Sequence, residues 1–73
     1  MGSEIMMEKE YVYTIVREDP VTGERAKRTR KYRTFVPRLA VGNLYADLRQ
    51  GYPGYWRVLR VREHLVPAWD WIH

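Results

Sequence analysis

Alternating apolar and polar positions predict that this chain is built mainly from β-strands. Residues 9–17 (KEYVYTIVR) are rich in tyrosine and β-branched residues, which fit the pleated, half-buried surface of a sheet. Alternation places Tyr11, Tyr13 and Ile15 on one face, and the opposite face is also largely apolar. We therefore expect this strand to be central in its sheet or covered on one side.

The next segment predicts a chain reversal and a second strand that pairs with the first. Residues 18–24 contain Asp-Pro and Thr-Gly, pairs that favour turns. The return strand is expected over residues 25–36, and Pro37 ends its pairing because it has no N–H group. Charged side chains occupy both faces of its first half, so we expect the distal half of this hairpin to project past the core.

Residues 39–48 (LAVGNLYADL) fit two periodicities. Val41 begins an i, i+3, i+4, i+7 series of apolar residues, which predicts a short helix near residues 43–50. Alternate residues from Leu44 to Leu48 are also apolar, as on one face of a strand. Because a Gly-Asn pair precedes them and leaves room for only about two helical turns, the strand is favoured.

A Tyr-Pro-Gly-Tyr sequence at residues 52–55 predicts a type II turn, since proline suits its second position and glycine its third. Residues 55–64 (YWRVLRVREH) then alternate as a strand, with Trp56 expected on the same face as Arg60 and Arg62. Four to five short strands in all favour a mainly β fold, either a small, strongly bent antiparallel sheet or an SH3-like barrel.

Length and composition limit the chain to one small domain. It has 73 residues and no cysteine, so disulfides and cysteine zinc sites are excluded and the fold depends on apolar packing or a partner subunit. Residues 1–7 are interpreted as a tag or a disordered N-terminus, which leaves residues 8–73 as the domain. With no membrane-spanning or signal segment evident, we expect no membrane association and a cytoplasmic location.

Positive charge is concentrated in the second half of the predicted hairpin. Six of the nine residues from Arg25 to Arg33 are lysine or arginine, and none is acidic. Such a field raises the local concentration of anionic partners, such as DNA, RNA or an acidic protein. Acidic residues on or beside the first strand are expected to cancel part of it, since a cross-strand ion pair contributes ~0.2–1 kcal/mol.

The favoured function is a nucleic-acid-binding domain that uses this basic β-hairpin. A two-stranded ribbon has the width to enter the DNA major groove or to follow a phosphate backbone. The predicted nucleic-acid-binding residues are Lys27, Arg28, Arg30, Lys31, Arg33, Arg57 and Arg60. The opposing interpretation is a solvated hairpin whose charge protects an exposed sheet edge from aggregation.

Ten aromatic residues in so short a chain cannot all be buried, so some are expected at the surface or against a partner. Tyr52 and Tyr55 are the predicted aromatic contact surface, with Tyr52 expected to be exposed, whereas Trp56 is expected in the core. Trp69 and Trp71 would hold the last segment on the core or form a subunit contact. Two alternative functions follow: a module that binds an acidic protein partner, and a homodimeric structural protein.

Catalysis and metal binding are not expected. The only serine is Ser3, cysteine is absent, and no nucleophile–base pair is evident. His64 and Glu63 are adjacent, so in a strand they would point to opposite faces and would not converge on a metal ion. We therefore expect a non-enzymatic binding domain without a cofactor.

Overall fold

The computed structural model describes residues 6–68, so the predicted roles of Trp69 and Trp71 lie outside the described residues. The four strands are β1 (Met7–Glu18), β2 (Arg25–Thr34), β3 (Leu44–Ala46) and β4 (Tyr55–Pro67). They form one antiparallel sheet in the order β2-β1-β4-β3, with β1 and β4 in the centre. The sheet curls into an open half-barrel, which confirms the prediction of a small, strongly bent β-sheet.

The segment between β2 and β4 consists of turns, irregular backbone and one short strand, and it is not helical. Residues 43–50 contain only the three-residue strand β3, and no helix within residues 6–68 is long and apolar enough to cross a membrane. A positive φ of 50° at Asp47 ends β3, and the Asp47 side chain accepts a hydrogen bond of 2.7 Å from the backbone N–H of Gly54. Gly54 has a φ of 84°, as the predicted type II turn requires.

One face of the sheet, which we call the core face, encloses the hydrophobic core. Tyr13 and Ile15 of β1 pack against Trp56 and Val58 of β4, and each of these four side chains is at most 3% exposed. The prediction that Trp56 lies in the core is confirmed. Half-buried tyrosine and leucine side chains from β2 and the β2–β4 connection surround this cluster, so the core joins all parts of the half-barrel.

A β-bulge in β4 reverses the side-chain alternation of this strand. Val58 pairs with Ile15, but the preceding β1 residue, Thr14, pairs with Arg60. Leu59 is therefore the extra residue. Because directly paired residues share a face of the sheet, Arg60 lies on the face of Thr14, opposite to Val58.

The prediction that Trp56 shares a face with Arg60 and Arg62 is therefore wrong. Strict alternation is correct on each side of the bulge, but the inserted residue changes the phase between the two halves. The bulge thus leaves Trp56 in the core and moves both arginines to the opposite face, where Arg57 also lies.

The basic strand β2 is an outer strand of the sheet rather than a free ribbon. Residues 19–31 are all exposed, as expected for the distal hairpin. However, β1 is paired with β4 from Met7 to Arg17, so only the turn beyond Glu18 extends past the sheet. The prediction that half of the hairpin projects past the core is wrong, because a third strand supports β1 along nearly its whole length.

Candidate nucleic-acid interface

The face opposite the core, which we call the basic face, has a buried row of side chains at its centre. Glu10, Val12, Thr14, Val16 and Glu18 alternate along β1, and each is at most 7% exposed. Basic side chains flank this row on both sides: Arg25, Lys31 and Arg33 on β2, and Arg57, Arg60, Arg62 and His64 on β4. The basic face therefore combines side chains from two strands that are far apart in sequence.

Glu18 neutralises the basic residues at one end of this row. Its carboxylate accepts hydrogen bonds from Arg25 Nε at 2.8 Å and from Arg57 Nε and Nη2 at 3.1 and 2.5 Å. The guanidinium groups of Arg57 and Arg25 lower the pKa of Glu18 from 4.5 to about 2. Arg57, one of the predicted binding residues, is thus held by an internal acid.

Glu10 has the same role at the other end. It is fully buried, and Arg33 donates to both of its oxygens, from Nε at 2.7 Å and from Nη2 at 3.0 Å. His64 Nε2 lies 2.5 Å from Oε1 of the same carboxylate. The hydrogen bonds from Arg33 are the main reason that the pKa of Glu10 is lowered. Arg33 is therefore also paired within the domain.

Acid should destabilise the fold through these two carboxylates. Because the folded pKa of Glu18 lies below its ordinary value, its stabilising contribution is present above pH 4.5 and is lost as the pH falls towards about 2. Glu10, whose pKa is also lowered, acts in the same direction. Thermal unfolding followed by circular dichroism should show a midpoint that falls through this pH window. Glu18→Gln should have a shallower dependence, and a wild-type midpoint that stays constant down to about pH 2 would contradict the prediction.

The middle of the row holds cations without an acidic partner. Lys31 donates from Nζ to Thr14 Oγ1 at 2.8 Å. The side chains of Arg60 and Arg62 make no hydrogen bond or ion pair with any residue that the structure describes. Together with Val12 and Thr14, these three basic residues line a cleft of about 290 Å³. Both acids of the buried row are paired with other arginines, so the positive charges that line this cleft are not neutralised by the row.

Other predicted residues on β2 have different surroundings. The Arg30 guanidinium lies 4.0 Å from the ring centroid of Tyr52 and donates to the carbonyl oxygen of Gly51 at 2.9 Å. Arg30 therefore holds the turn before β4 against β2 by cation–π and hydrogen-bond contacts. Lys27 and Arg28 are exposed near the hairpin turn, and neither pairs with an acid among the described residues.

The two tyrosines of the predicted aromatic surface are separated. Tyr52 is half-buried, contrary to expectation, because its ring packs edge-on against Tyr32 at 5.1 Å and lies 5.9 Å from the ring of Trp56. Its hydroxyl group donates to the carbonyl oxygen of Lys31 at 2.8 Å. Tyr55 is 43% exposed and precedes Trp56, so alternation places it away from the core face. Tyr52 thus closes the half-barrel and Tyr55 remains at the surface.

Three residues of the cleft, Val12, Thr14 and Arg62, are not among the binding residues predicted from the sequence. Arg62 follows Arg60 by two positions, and that spacing indicates a shared face of one strand. Thr14 gives no comparable signal, because its hydroxyl becomes notable only when the sheet brings Lys31 beside it. The cleft is therefore a product of strand order as well as of composition.

Neither a metal centre nor a similar protein indicates what the basic face binds. Within residues 6–68, no three acidic or histidine side chains are placed so that they could hold a metal ion. Comparison with known proteins gives no match to a family model, to a curated protein or to a solved structure. The geometry of the basic face therefore carries the functional interpretation.

Proposed function

We propose that this protein binds nucleic acid and that the basic face, centred on Lys31, Arg60 and Arg62, contacts its phosphates. One observation carries the proposal: the acids at the ends of the buried row, Glu10 and Glu18, are paired internally, whereas the three central cations share a cleft without an acid. Phosphate oxygens form strong charge-assisted hydrogen bonds with lysine and arginine. A surface of this kind favours a polyanion over a neutral ligand.

The proposal moves the contact surface from the hairpin to the face of the sheet. Of the basic residues predicted on β2, one is paired with Glu10 and another is stacked on Tyr52. Among the described residues of β2 and β4, the basic side chains with neither an acidic nor an aromatic partner are Lys27, Arg28, Lys31, Arg60 and Arg62. Three of them line the cleft, and Lys27 extends the positive surface towards the hairpin turn, whereas alternation places Arg28 on the opposite face with Arg30.

Binding of an oligonucleotide should weaken steeply with salt. If the four of these residues on the basic face contact phosphates, the slope of log affinity against log salt should be about −3.5 on duplex DNA and about −3 on a single strand. Replacing Arg60 and Arg62 together by glutamine should reduce the magnitude of the duplex slope by about 2 and lower affinity at least about tenfold. Fluorescence anisotropy over a salt series measures both quantities.

A matched control removes two basic side chains from outside the basic face. Lys9 pairs with Glu63, and Arg38 is exposed in the connection after β2. Lys9→Gln combined with Arg38→Gln changes the net charge by the same amount as the test variant, and it should leave the salt slope close to that of the wild type. The proposal fails if affinity is unchanged between low and moderate salt, or if the control weakens binding as much as the test variant.

One observation favours a protein-interaction function as the second candidate. β3 pairs only with residues 55–57, so among the described residues no strand pairs with the outer edge of β4 beyond Val58. Val61 and Leu65 on this segment are 43% and 61% exposed. An open edge with exposed apolar side chains can accept a strand from another chain. A sedimentation mass that rises with protein concentration in the absence of oligonucleotide would favour this alternative, with a second copy as the partner.

A further inference from the structure

The cleft over Val12 and Thr14 presents hydrogen-bond donors that have no acceptor. An ammonium group can only donate, so the Thr14 hydroxyl oxygen is the acceptor in its 2.8 Å contact with Lys31. The hydroxyl proton of Thr14 is then free to donate, and no described residue accepts it. Thr14 is 2% exposed, so this donor is held in place at the floor of the cleft.

Arg60 and Arg62 complete the set of donors. Each guanidinium carries several N–H groups, and none of them is bonded to a residue that the structure describes. The two arginines are alternate residues of β4, about 7 Å apart along one face, while Lys31 approaches from β2 on the other side of β1. An anion in the cleft would therefore meet donors from both sides and from below.

We infer that this cleft is a subsite for the terminal phosphate of a nucleic-acid strand. The inference rests on the proposed function and goes further, because it names the chemical group that is bound. A phosphomonoester carries a charge of about −1.5 to −2 and three strong acceptor oxygens. An internal phosphodiester has a single negative charge and two unesterified oxygens. The three cations and the hydroxyl donor of the cleft therefore match the charge and the three acceptor oxygens of a monoester better than those of a diester.

The surroundings of the cleft favour the binding of a single anionic group within it. On β1, the ion pairs of Glu10 and Glu18 lie on either side of the cleft and leave its cations as an isolated group. Val12 supplies an apolar wall, and a lower local dielectric strengthens charge-assisted hydrogen bonds. The volume of about 290 Å³ is about ten times the ~30 Å³ share of one liquid water, which leaves room for a phosphate group.

Matched single-stranded oligonucleotides test this subsite: one with a 5′-phosphate, one with a 3′-phosphate and one with neither. The wild type should bind at least one phosphorylated form about tenfold or more tightly than the unphosphorylated form. Thr14→Val should remove most of this preference, and Thr14→Ser, which keeps a hydroxyl group, should retain it. Lys27→Gln should weaken binding of all three oligonucleotides equally and leave their ratio unchanged.

Because Thr14→Val could disturb folding, a second variant and a second measurement test the subsite independently of the buried threonine. Arg60 is exposed, so Arg60→Gln should lower the same affinity ratio while the thermal midpoint stays at the wild-type value. Inorganic phosphate alone should shift the amide NMR signals of Lys31 and Thr14 in the wild type and should do so less in Thr14→Val. Lack of any such shift in the wild type would count against the subsite.

The outcomes separate this inference from the function on which it rests. Equal affinity for the three oligonucleotides would overturn the terminal-phosphate subsite and leave nucleic-acid binding intact. Failure to bind any of them, with a phosphoserine peptide bound in the cleft instead, would overturn both and assign the site to a protein ligand. A phosphate preference that survives both Thr14→Val and Arg60→Gln would show that the end group binds elsewhere.

Discussion

Replacing Trp56 by alanine should destabilise the fold by about 3–5 kcal/mol, because it deletes the largest side chain of the core. The indole is 3% exposed, and its N–H donates to the carbonyl oxygens of Tyr52 and Pro53 at 3.2 and 3.1 Å. The guanidinium of Arg17 also lies 5.4 Å from the ring centroid. At ~0.05–0.15 kcal/mol per residue, a domain of this size has a total stability of only about 4–11 kcal/mol. The loss is therefore a large part of the total, and at the lower end of the range much of the Trp56→Ala population should be unfolded.

Urea unfolding followed by far-ultraviolet circular dichroism measures this loss without relying on the deleted fluorophore. Trp56→Phe keeps an aromatic ring and loses the N–H donor, so it should cost less than the alanine variant. Tyr55→Ala, at the neighbouring exposed position, should cost under about 1 kcal/mol. If Trp56→Ala were within about 0.5 kcal/mol of the wild type, Trp56 would not have the central role in the core that its burial indicates.

The parts of the fold that depend on local chemistry could be predicted from the sequence. Residues 9–17 are apolar on both faces, and the strand they form is indeed central, with buried side chains on each side. The turn at residues 52–55 follows from proline and from the positive φ that Gly54 adopts. A Cβ atom at Gly54 would lie 2.8 Å from the guanidinium of Arg17, but that group ends a flexible side chain and can move, so it is the positive φ that requires glycine there.

The arrangement of charges could be predicted only in part. Acidic residues near the hairpin do cancel part of its charge, but the pairing of Glu18 with Arg57 joins residues at a sequence separation of 39. Asp19, which is next to Glu18, instead accepts hydrogen bonds from the backbone N–H groups of Val21 and Thr22 in the turn. Which acid neutralises which arginine depends on strand register and on the side of the sheet, and neither is visible in local composition.

The β-bulge at Leu59 is the feature of the fold that the sequence predicts least well, and it is also the feature that assembles the cleft. Alternation is a reliable guide only while the register is continuous, and a single inserted residue reverses every later side chain. Because the sequence around Leu59 contains no glycine or proline, nothing local marks the bulge. The bulge allows one strand to contribute Val58 to the core and Arg60 to the opposite face. The bulge thereby directs the apolar side chains before Leu59 to the core face and the arginines after it to the basic face.

Deletion of Leu59 should abolish oligonucleotide binding for this reason. Without the extra residue, continuous pairing of β4 with β1 would turn either Arg60 and Arg62 towards the core or Trp56 out of it. The first result removes the arginines from the cleft, and the second costs the core its largest side chain and so unfolds the sheet that carries them. Anisotropy titration together with circular dichroism would show loss of binding with either a rearranged or an unfolded sheet.

Leu59→Ala is the matched control for this deletion, because it removes most of a half-buried side chain but keeps the number of residues. It should retain the bulge, the position of Arg60 and most of the binding, with a loss of stability well below that of Trp56→Ala. Nuclear Overhauser contacts between residues 14 and 60 would report the register directly. Wild-type affinity in the deletion variant would mean that the phosphates do not depend on the arginines that the bulge turns to the basic face.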